Sequence, residues 1–318
     1  MQKPVFISFI IPYHNEPTAW LLACIKSLLA LEIEADEREI IVIDDGSDAS
    51  PEETISSIGN NIKYIQQENG GQGEARNRGL KECQGEYVQF VDADDCLIPS
   101  AYNGVLHLLR EEKPDMIVFG HTSEMGYKVG TGSFFTTSGA EYMLRRNIKS
   151  PVWGYIFRRK IADGISLPTG TLTEDEEFTP LLMLQAKTLV AVDTKAYYYR
   201  RRPDSLTTTA DIEKKEKRLD DSLRSIERLK DEAKRLDGTK KLALTRRVDQ
   251  ITMDYVFNTI ALFRDKNTID AKIKELKNLG LWPLKLHFYT FKYIAFAIIS
   301  RCSMGRMAIK KIIKSREK

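Results

Sequence analysis

The strongest candidates for chemistry in this sequence are three carboxylates within four residues, Asp92-Ala93-Asp94-Asp95. They follow an apolar run, 87–91, that is typical of a buried strand, and open parallel sheets place ligands at the carboxyl ends of their strands. Crowded carboxylates repel one another unless a cation compensates, and oxygen ligands suit Mg²⁺ or Mn²⁺. Because side chains alternate along an extended chain, Asp92 and Asp94 are expected on one side, where they could share a metal–phosphate complex. The alternative is a solvated acidic turn before the next helix.

A second acidic pair, Asp44-Asp45, ends another apolar run and is followed by Gly46 and Ser47. A carboxylate there can accept hydrogen bonds from a nucleotide base. The alternative is an ordinary turn between a strand and a helix, to which Asp, Gly and Ser are all suited. The functional interpretation gains weight because both acidic segments are expected at the same edge of a sheet.

A glycine-rich loop begins at Asn69-Gly70-Gly71 and continues to Arg76. Its glycines permit close backbone approach at a helix N-terminus, and Arg76 could reach a phosphate as a planar donor. A dinucleotide-binding fingerprint is excluded, because that motif belongs directly after the first strand and residues 12–16 contain no glycine.

A third acidic segment contains Glu174 and Asp175. Thr173 and Glu176 have the spacing of a capping box, and the helix dipole favours acids in a first helical turn, so a structural role explains much of this motif. The functional alternative is that one carboxylate at the start of the helix acts as a general base.

The elements that must position these residues alternate along the first 120 residues. β-branched runs predict strands, and the stretches between them predict helices, which together indicate an α/β fold with a mainly parallel sheet covered on both faces. The predicted strands are 5–11, 39–43, 62–66, 87–91 and 116–119, and the predicted helices are 19–31, 52–58, 73–83 and 101–112. The pattern is then mixed, with a helix at 138–146 and strands at 188–192 and 196–200.

The composition changes after Asp211, where Gly and Pro become scarce and charged residues alternate with Leu and Ile at helical spacing up to Lys277. This predicts two or three amphipathic helices and therefore two domains, an α/β domain at 1–210 and a helical subdomain at 211–318.

The end of the chain, 281–318, is aromatic and then basic. The longest uncharged run between 281 and 307, which is 293–300, is far short of the roughly 20 residues that span a bilayer. Flanking Lys, Arg and aromatic residues would suit a helix lying at a membrane surface. The equally weighted alternative is that the aromatic residues pack on the preceding helices.

Composition excludes several classes of protein. The formal net charge of +3 on 318 residues is too small to indicate nucleic-acid binding. The four cysteines include no C-x-x-C pair or zinc-ligand spacing, and isolated thiols fit a reducing compartment. Because the first residues lack the pattern of a secretion signal, the sequence predicts a cytoplasmic protein, with peripheral attachment to the inner face of the cytoplasmic membrane as a further expectation.

Taken in order, these segments resemble the family-2 glycosyltransferases of GT-A fold. The resemblance is dense over residues 5–100 and sparser to about 205. It is carried by 9–16, by 39–47, by Asn69-Gly70 with 75–80, by 85–87 leading into 92–95, by Val152-Trp153-Gly154 and by Glu174-Asp175.

The resemblance implies a role for each matching position. A nucleotide pocket would be lined by Pro12, Tyr13 and Glu16, with Asp45 accepting from the base. Asp92 would face the ribose or donor sugar, and Asp94 would ligate the metal that bridges the diphosphate.

The later motifs would complete the site. Asp175 would be the catalytic base beside Glu174, and Trp153 would lie near the transferred sugar or the acceptor, with a core aromatic as its alternative. Residues 199–202 with Ser205 resemble a mobile segment that closes on the diphosphate, which makes Arg202 a donor-binding residue.

The implied activity is inverting transfer of a sugar, with Mn²⁺ or Mg²⁺, from a nucleotide-diphosphate donor, with UDP favoured, to a glycan or lipid-linked glycan. Cell-surface polysaccharide or lipopolysaccharide synthesis is the expected context. One alternative is a catalytically silent sugar- or nucleotide-binding scaffold. A haloacid-dehalogenase-type phosphatase fits less well, because its motif belongs on the first strand and expects Thr or Val where this chain has Cys96.

Overall fold

The computed structural model describes residues 4–59, 62–124, 126, 132–148, 151–202, 211–263 and 265–316. The chain forms two compact units. The first comprises Met1–Tyr142 and Lys149–Arg202, and the second comprises Met143–Ile148 and Pro203–Lys318. The predicted domain boundary lies between residues 210 and 211. Residues 203–210, which include Ser205, lie outside the described residues.

The first unit is built on one mixed sheet of nine strands among the described residues. The strands are β1 (Ile7–Tyr13), β2 (Arg38–Asp45), β3 (Ile62–Gln67), β4 (Tyr87–Phe90), β5 (Cys96–Leu97), β6 (Met116–Thr122), β7 (Phe134–Thr137), β8 (Tyr155–Arg158) and β9 (Leu189–Tyr198). The helices are α1 (Thr18–Leu29), α2 (Glu52–Ser56), α3 (Gln72–Glu82), α4 (Pro99–Glu112) and α6 (Glu174–Met183), together with the first residues of α5 (Gly139–Arg145). The α/β prediction and all five early strands are confirmed.

The strand order explains why the acidic segments meet. The sheet runs β3-β2-β1-β4-β8-β6-β9-β5, and β3, β2, β1 and β4 are parallel neighbours. The chain leaves β1 toward β2 on one side and returns to β4 on the other. The carboxyl ends of β1 and β4 therefore form a topological switch point, the usual ligand crevice of such a sheet.

The other half of the sheet departs from the parallel prediction. The short strand β8 lies between β4 and β6 and is antiparallel to both, and β5 and β7 are antiparallel to β9. The two strands predicted at 188–192 and 196–200 are wrong as separate elements. They form the single strand β9, whose pairing with β6 shifts register between Val118 and His121.

The core is apolar on both faces of the parallel strands, as expected for a covered sheet. β1 is buried along its whole length, and α1 buries Leu21, Cys24, Ile25 and Leu28 at helical spacing. Helix α3 approaches β1 so closely that a Cβ on Gly79 would collide with the side chain of Ile10. This contact holds the helix that carries Arg76 against the central strand.

The second unit contains helices α7 (Ile212–Arg235), α8 (Gly238–Leu262), α9 (Lys266–Asn278), α10 (Phe291–Ile299) and α11 (Ser303–Arg316). Three of them begin at residues whose side chains accept a backbone hydrogen bond from the first turn, namely Asp211, Asp265 and Thr290. The predicted helical character after Asp211 is confirmed. Within the described ranges, no helix is both long and apolar enough to cross a membrane.

The aromatic residues before and within α10 divide into two groups. Tyr289 donates a hydrogen bond to the Asp249 carboxylate (3.1 Å) and lies under the Arg246 guanidinium, and Tyr293 is buried. Phe288 and Phe291 are instead 95% and 84% exposed. Packing on the preceding helices therefore accounts for the tyrosines and leaves the two phenylalanines in solvent.

Candidate functional site

The candidate site lies where β1, β2 and β4 end side by side in the first unit. Tyr13 pairs with Asp44 across the parallel ladder, and β4 runs on into Asp92. We refer to the three carboxylates of Asp92, Asp94 and Asp95 as the acidic edge. Asp94 and Asp95 are buried and Asp92 is half-buried, so these charges need compensating partners.

The acidic edge is a turn, in which the amide of Asp95 donates to the carbonyl of Asp92 (3.0 Å). The segment is not extended, so the strand alternation from which we expected Asp92 and Asp94 on one side does not apply; their carboxylates are nevertheless close enough for Asp92 to raise the pKa of Asp94. The turn is anchored from β9, where the Tyr197 hydroxyl accepts from the amide of Asp92 (3.1 Å).

Asp94 faces two arginines that follow β9. Its Oδ2 forms an ion pair with Nε of Arg202 (2.9 Å), and its carbonyl accepts from Nε of Arg200 (2.7 Å). Burial and the neighbouring Asp92 raise the pKa of Asp94, and Arg202 opposes that rise. Arg202 thus supplies the positive charge that a carboxylate in this position requires.

Asp95 is fully buried and binds the segment after β9 through the backbone of Arg200. Its Oδ1 accepts from the backbone amide of Arg200 (2.7 Å). Burial, with Asp92 and Asp94 close by, raises the pKa of Asp95 to about 8. The guanidinium of Arg200 lies over the Trp20 ring, 5.1 Å from its centroid, which keeps the segment against α1.

Arg76 joins the acidic edge to the start of α6. Its two terminal nitrogens contact Asp92 Oδ1 (2.8 Å) and Glu174 Oε1 (2.6 Å), and its side chain is 3% exposed. In this structure it therefore faces two carboxylates instead of an open phosphate position. Phosphate binding by Arg76 stays a prediction, and the observed contacts give it an organising role.

The N-terminus of α6 presents Asp175 beside this network. Thr173 occupies the N-cap position but its side chain makes no capping hydrogen bond, so the capping-box explanation of this motif is wrong. Glu174 is buried against Arg76, and Asp175 is half-buried. Burial raises the pKa of the Tyr155 hydroxyl, and the negative charge of Asp175 adds to that rise. The Asp175 carboxylate is therefore close to the buried Tyr155 hydroxyl.

Asp45 organises the glycine-rich loop. Its carboxylate accepts from the side chain of Gln67 (2.7 Å) and from the amides of Gly70 (2.9 Å) and Gly71 (2.7 Å). Asp44 accepts from the amide of Ser47 (2.9 Å) and the hydroxyl of Tyr64. Base recognition by Asp45 stays a prediction, since its oxygens bind the loop in this structure.

The loop after β1 brings the remaining predicted nucleotide residues together. Pro12 and Tyr13 are buried, and the Tyr13 hydroxyl donates to the carbonyl of Glu16 (2.8 Å). Burial raises the pKa of Glu16, the Asp94 charge adds to the rise, and Arg202 opposes it. The pKa of Glu16 therefore depends on the charges of Asp94 and Arg202.

Trp153 forms the centre of an aromatic cluster beside the site. Its ring stacks on Tyr197, with centroids 4.4 Å apart, and on Tyr199 at 5.7 Å, while His121 meets it edge-on at 5.0 Å. Trp153 is 9% exposed, so its packing role is established. The register shift between β6 and β9 lies just before His121, at the rim of this cluster.

The chemistry of the acidic edge fits a divalent cation that is shared with a substrate. Among the described residues, no three His, Cys, Asp or Glu side chains form a metal-holding group of their own. Mg²⁺ and similar ions in phosphate-transferring sites commonly use only one or two carboxylates together with substrate phosphates. Asp94 and Asp92 supply such a donor set, with Arg202 neutralising Asp94 in this structure.

Sequence reasoning overlooked several residues that shape the site. Arg200 and Tyr197 link β9 to the acidic edge through Asp95 and Asp92, and Gln72 reaches Asp92 from α3. The signal for Arg200 was present in the basic run 200–202. Nothing in the sequence spacing indicated Tyr197, because its contact depends on pairing across 105 residues.

Comparison with known families identifies the first half of the chain. Residues 8–163 match the model "Glycosyl transferase family 2". The chain is 28% identical to EpsH of Bacillus subtilis (strain 168) over 217 residues, which are 63% of this chain and 62% of EpsH. The chain thus spans less than two thirds of that relative.

Two solved structures resemble nearly the whole chain. Residues 1–349 of TarS from S. aureus in complex with UDP-GlcNAc match 98% of this chain and 92% of that one, with a TM-score of 0.70 and 18% identity. The mannosyltransferase PcManGT from Pyrobaculum calidifontis, in complex with GDP-Man and Mn²⁺, matches 97% and 89%, with a TM-score of 0.58 and 12% identity. At these identities the likeness concerns the fold.

Proposed function

The chain is a family-2 glycosyltransferase of GT-A fold, and we propose that it transfers a sugar from a nucleotide-diphosphate donor, with UDP favoured, to an acceptor hydroxyl with inversion. The observation that carries this proposal is the meeting of the acidic edge, Arg202 and the start of α6 at the switch point of the sheet. Open α/β sheets bind their ligands at such points.

The nucleotide lies over the ends of β1 and β2 in this proposal. Pro12, Tyr13 and Glu16 form one wall, and Asp45 meets the base with the glycine-rich loop it organises. The TarS structure with UDP-GlcNAc supports a nucleotide-sugar donor for this fold. The uracil preference rests on that neighbour and on the family resemblance.

The diphosphate lies against the acidic edge. A cation held by Asp94, Mn²⁺ or Mg²⁺, would supply charge neutralisation to the leaving diphosphate. Arg202 exchanges its present partner, Asp94, for a phosphate oxygen when the donor enters. Asp92, held by Arg76 and Gln72, faces the ribose or the donor sugar.

Asp175 acts as the general base. It takes the proton of the acceptor hydroxyl while the acceptor oxygen bonds to the anomeric carbon and the bond from that carbon to the diphosphate breaks on the opposite face. Glu174 does not share this role, because it is buried against Arg76. Proton transfer of this kind contributes about 10²–10⁴-fold to rate.

The acceptor is a glycan or lipid-linked glycan, and the reaction takes place in the cytoplasm at the inner face of the cytoplasmic membrane, in the synthesis of a cell-surface polysaccharide or lipopolysaccharide. Trp153, with Tyr199 and His121 at the rim of its cluster, borders the position of the transferred sugar. Aromatic faces suit the apolar face of a pyranose ring. The phosphatase alternative finds no support, because residues 8–163 match a different family.

The proposal is tested by measuring donor turnover with a panel of UDP-sugars and Mn²⁺, and donor affinity by calorimetry, in wild type and Asp175→Asn. We expect kcat to fall by about 10²–10⁴-fold while donor Kd changes by less than about threefold. Glu176→Gln, one residue along the same helical turn, is the matched control and should leave both values near wild type.

Two outcomes would overturn the proposal. Unchanged turnover in Asp175→Asn would remove Asp175 as the base. Donor binding by wild type without turnover, with any UDP-sugar and with added glycan acceptors, would favour the silent scaffold.

A further inference from the structure

Exposed apolar side chains are concentrated in the second unit at its C-terminal end. Of the twelve large hydrophobic side chains that stand exposed among the described residues, seven lie between 286 and 312. The most exposed are Phe288 (95%), Phe291 (84%) and Met304 (83%). Single exposed apolar residues are ordinary, but a concentration of this kind marks an interaction surface.

Both terminal helices turn an apolar face outward. Among residues 291–313, whose side chains are described, the exposed positions of α10 are Phe291, Lys292, Ile298 and Ile299, and those of α11 are Met304, Ala308, Lys311 and Ile312. Within α10 the pairs 291/298 and 292/299 are seven residues apart, and in α11 the positions recur after four, three and four residues, so that each set lies on one side of its helix. We call these eight residues, together with Phe288, the exposed C-terminal surface.

The inward side of α11 carries charge. Arg306 and Lys310 are buried, and Arg306 donates to the carbonyl of Ser300 (2.9 Å) and to the carboxylate of Asp270. A water-facing helix has the opposite arrangement, with apolar residues inward and charges outward. Since Arg306 and Lys310 are buried, Lys311 is the one charged side chain among the four exposed positions of α11 whose side chains are described.

The charge of this segment selects the partner. From 281 to 316 the sequence has no Asp or Glu, and Lys285, Lys292, Arg301 and Lys311 are exposed. A second copy of the same surface would bring like charges together, which is unfavourable. An anionic lipid bilayer offers an apolar interior and negative headgroups at one boundary.

We propose that the exposed C-terminal surface binds an anionic phospholipid bilayer, with Phe288, Phe291 and Met304 inserted at the headgroup boundary and Lys292 and Lys311 on the headgroups. This attachment is peripheral and does not depend on the transfer chemistry. It brings a soluble donor to acceptors that are held at a membrane.

The test is co-sedimentation of the full chain with vesicles of phosphatidylglycerol and phosphatidylcholine, compared with phosphatidylcholine alone. We expect binding only to the anionic vesicles, and weakening as salt rises from 0.1 to 1 M because the Debye length falls from about 10 to about 3 Å. Phe288→Ser with Phe291→Ser should weaken binding by about tenfold or more. Lys292→Gln with Lys311→Gln should weaken it by about fivefold per charge.

Ile212→Ser with Leu242→Ser is the matched control, since these residues are 63% and 62% exposed in the same unit but lie outside the surface. It should bind vesicles like wild type, and circular dichroism should show all variants folded. Equal binding by wild type and the phenylalanine variant would overturn the proposal. The proposal would also be overturned if wild type did not bind the vesicles. In that case, a dimer seen by light scattering in wild type and lost in the phenylalanine variant would make the surface an interface between two copies of the chain.

Discussion

In most proteins ionisable side chains are exposed and large apolar side chains are buried. The acidic edge buries ionisable side chains, whereas the exposed C-terminal surface leaves apolar side chains in solvent. In the first unit, the ionisable side chains of Asp94, Asp95 and Arg76 are buried. In the second, Phe288 and Phe291 are apolar and exposed. Each arrangement is unfavourable in an isolated chain in water unless something compensates for it.

The two regions differ in where the compensation comes from. At the acidic edge it is internal, because Arg202 and Arg76 contact the carboxylates of Asp94 and Asp92. On the C-terminal surface the described residues leave Phe288 95% exposed, and in our proposal a lipid bilayer outside the chain supplies the compensation. Positions that break local rules are expected at functional sites, and the source of compensation distinguishes a substrate pocket from a docking surface.

The comparison predicts its largest stability effect at Arg76. Arg76→Met should lower the free energy of unfolding by about 3–5 kcal/mol, because it leaves Asp92 and Glu174 without the buried cation that they contact. Arg78→Met, on the same helix, removes only an exposed pair with Glu82 and should cost less than about 1 kcal/mol. Urea unfolding of both variants measures the difference, and equal losses would contradict the buried-charge account.

A smaller loss is expected at Asp45. In Asp45→Asn the new amide group faces the N–H of Gly71 in place of an acceptor, which should cost about 1–3 kcal/mol. Asp48→Asn, in an exposed position, should stay within about 0.5 kcal/mol of wild type. Thermal unfolding of the two variants makes the test, and a stable Asp45→Asn protein would mean that the loop does not depend on this carboxylate.

The pH dependence of stability should reveal Asp95. Its folded-state pKa of about 8 lies above the unfolded value of about 3.9. The folded protein therefore keeps the proton over a range in which the unfolded chain has lost it. The contribution of Asp95 to the free energy of unfolding is complete below about pH 4. It is lost as the pH rises to about 8, at up to about 1.4 kcal/mol per pH unit. Asp95→Asn should flatten this slope in urea unfolding at pH 5 and 7.5 without metal; parallel slopes would contradict the assignment.

The smallest effect is expected on the C-terminal surface. Phe288→Ser with Phe291→Ser should change the free energy of unfolding by less than about 0.5 kcal/mol, because both rings are exposed. Tyr289→Ser, which lies between them but packs on Arg246 and Asp249, should cost about 1–3 kcal/mol. If chemical denaturation shows the phenylalanines to be as costly as Tyr289, they belong to the fold and do not form a free surface.

Local patterns were sufficient to predict the parallel half of the sheet. The strands β1, β2 and β4 are mostly apolar runs followed by turn residues, and this pattern also located Asp45 and Asp92 at one edge. The antiparallel insertion of β8 was not predictable in this way. It is four residues long, and its place between β4 and β6 is set by long-range pairing.

The site was predicted residue by residue but without its connections. The contact of Arg76 with Glu174 joins residues 98 positions apart, and no spacing rule indicates it. The aromatic residues at 281–293 show the same limit. Composition indicated a surface or a packed segment, and only the structure separates exposed Phe288 from packed Tyr289.

The central claim is that Asp94 holds a cation shared with the diphosphate of a nucleotide. It is tested most directly by thermal shift with UDP, GDP and dTDP, each with Mn²⁺ and with EDTA, on wild type, Asp94→Ala and the exposed control Asp163→Ala. At a ligand concentration of 100 Kd, binding stabilises the fold by about 2.7 kcal/mol. We predict a Mn²⁺-dependent shift, largest with UDP, in wild type and Asp163→Ala but not in Asp94→Ala. A shift that persists in Asp94→Ala, or no shift with any nucleotide, would contradict the account.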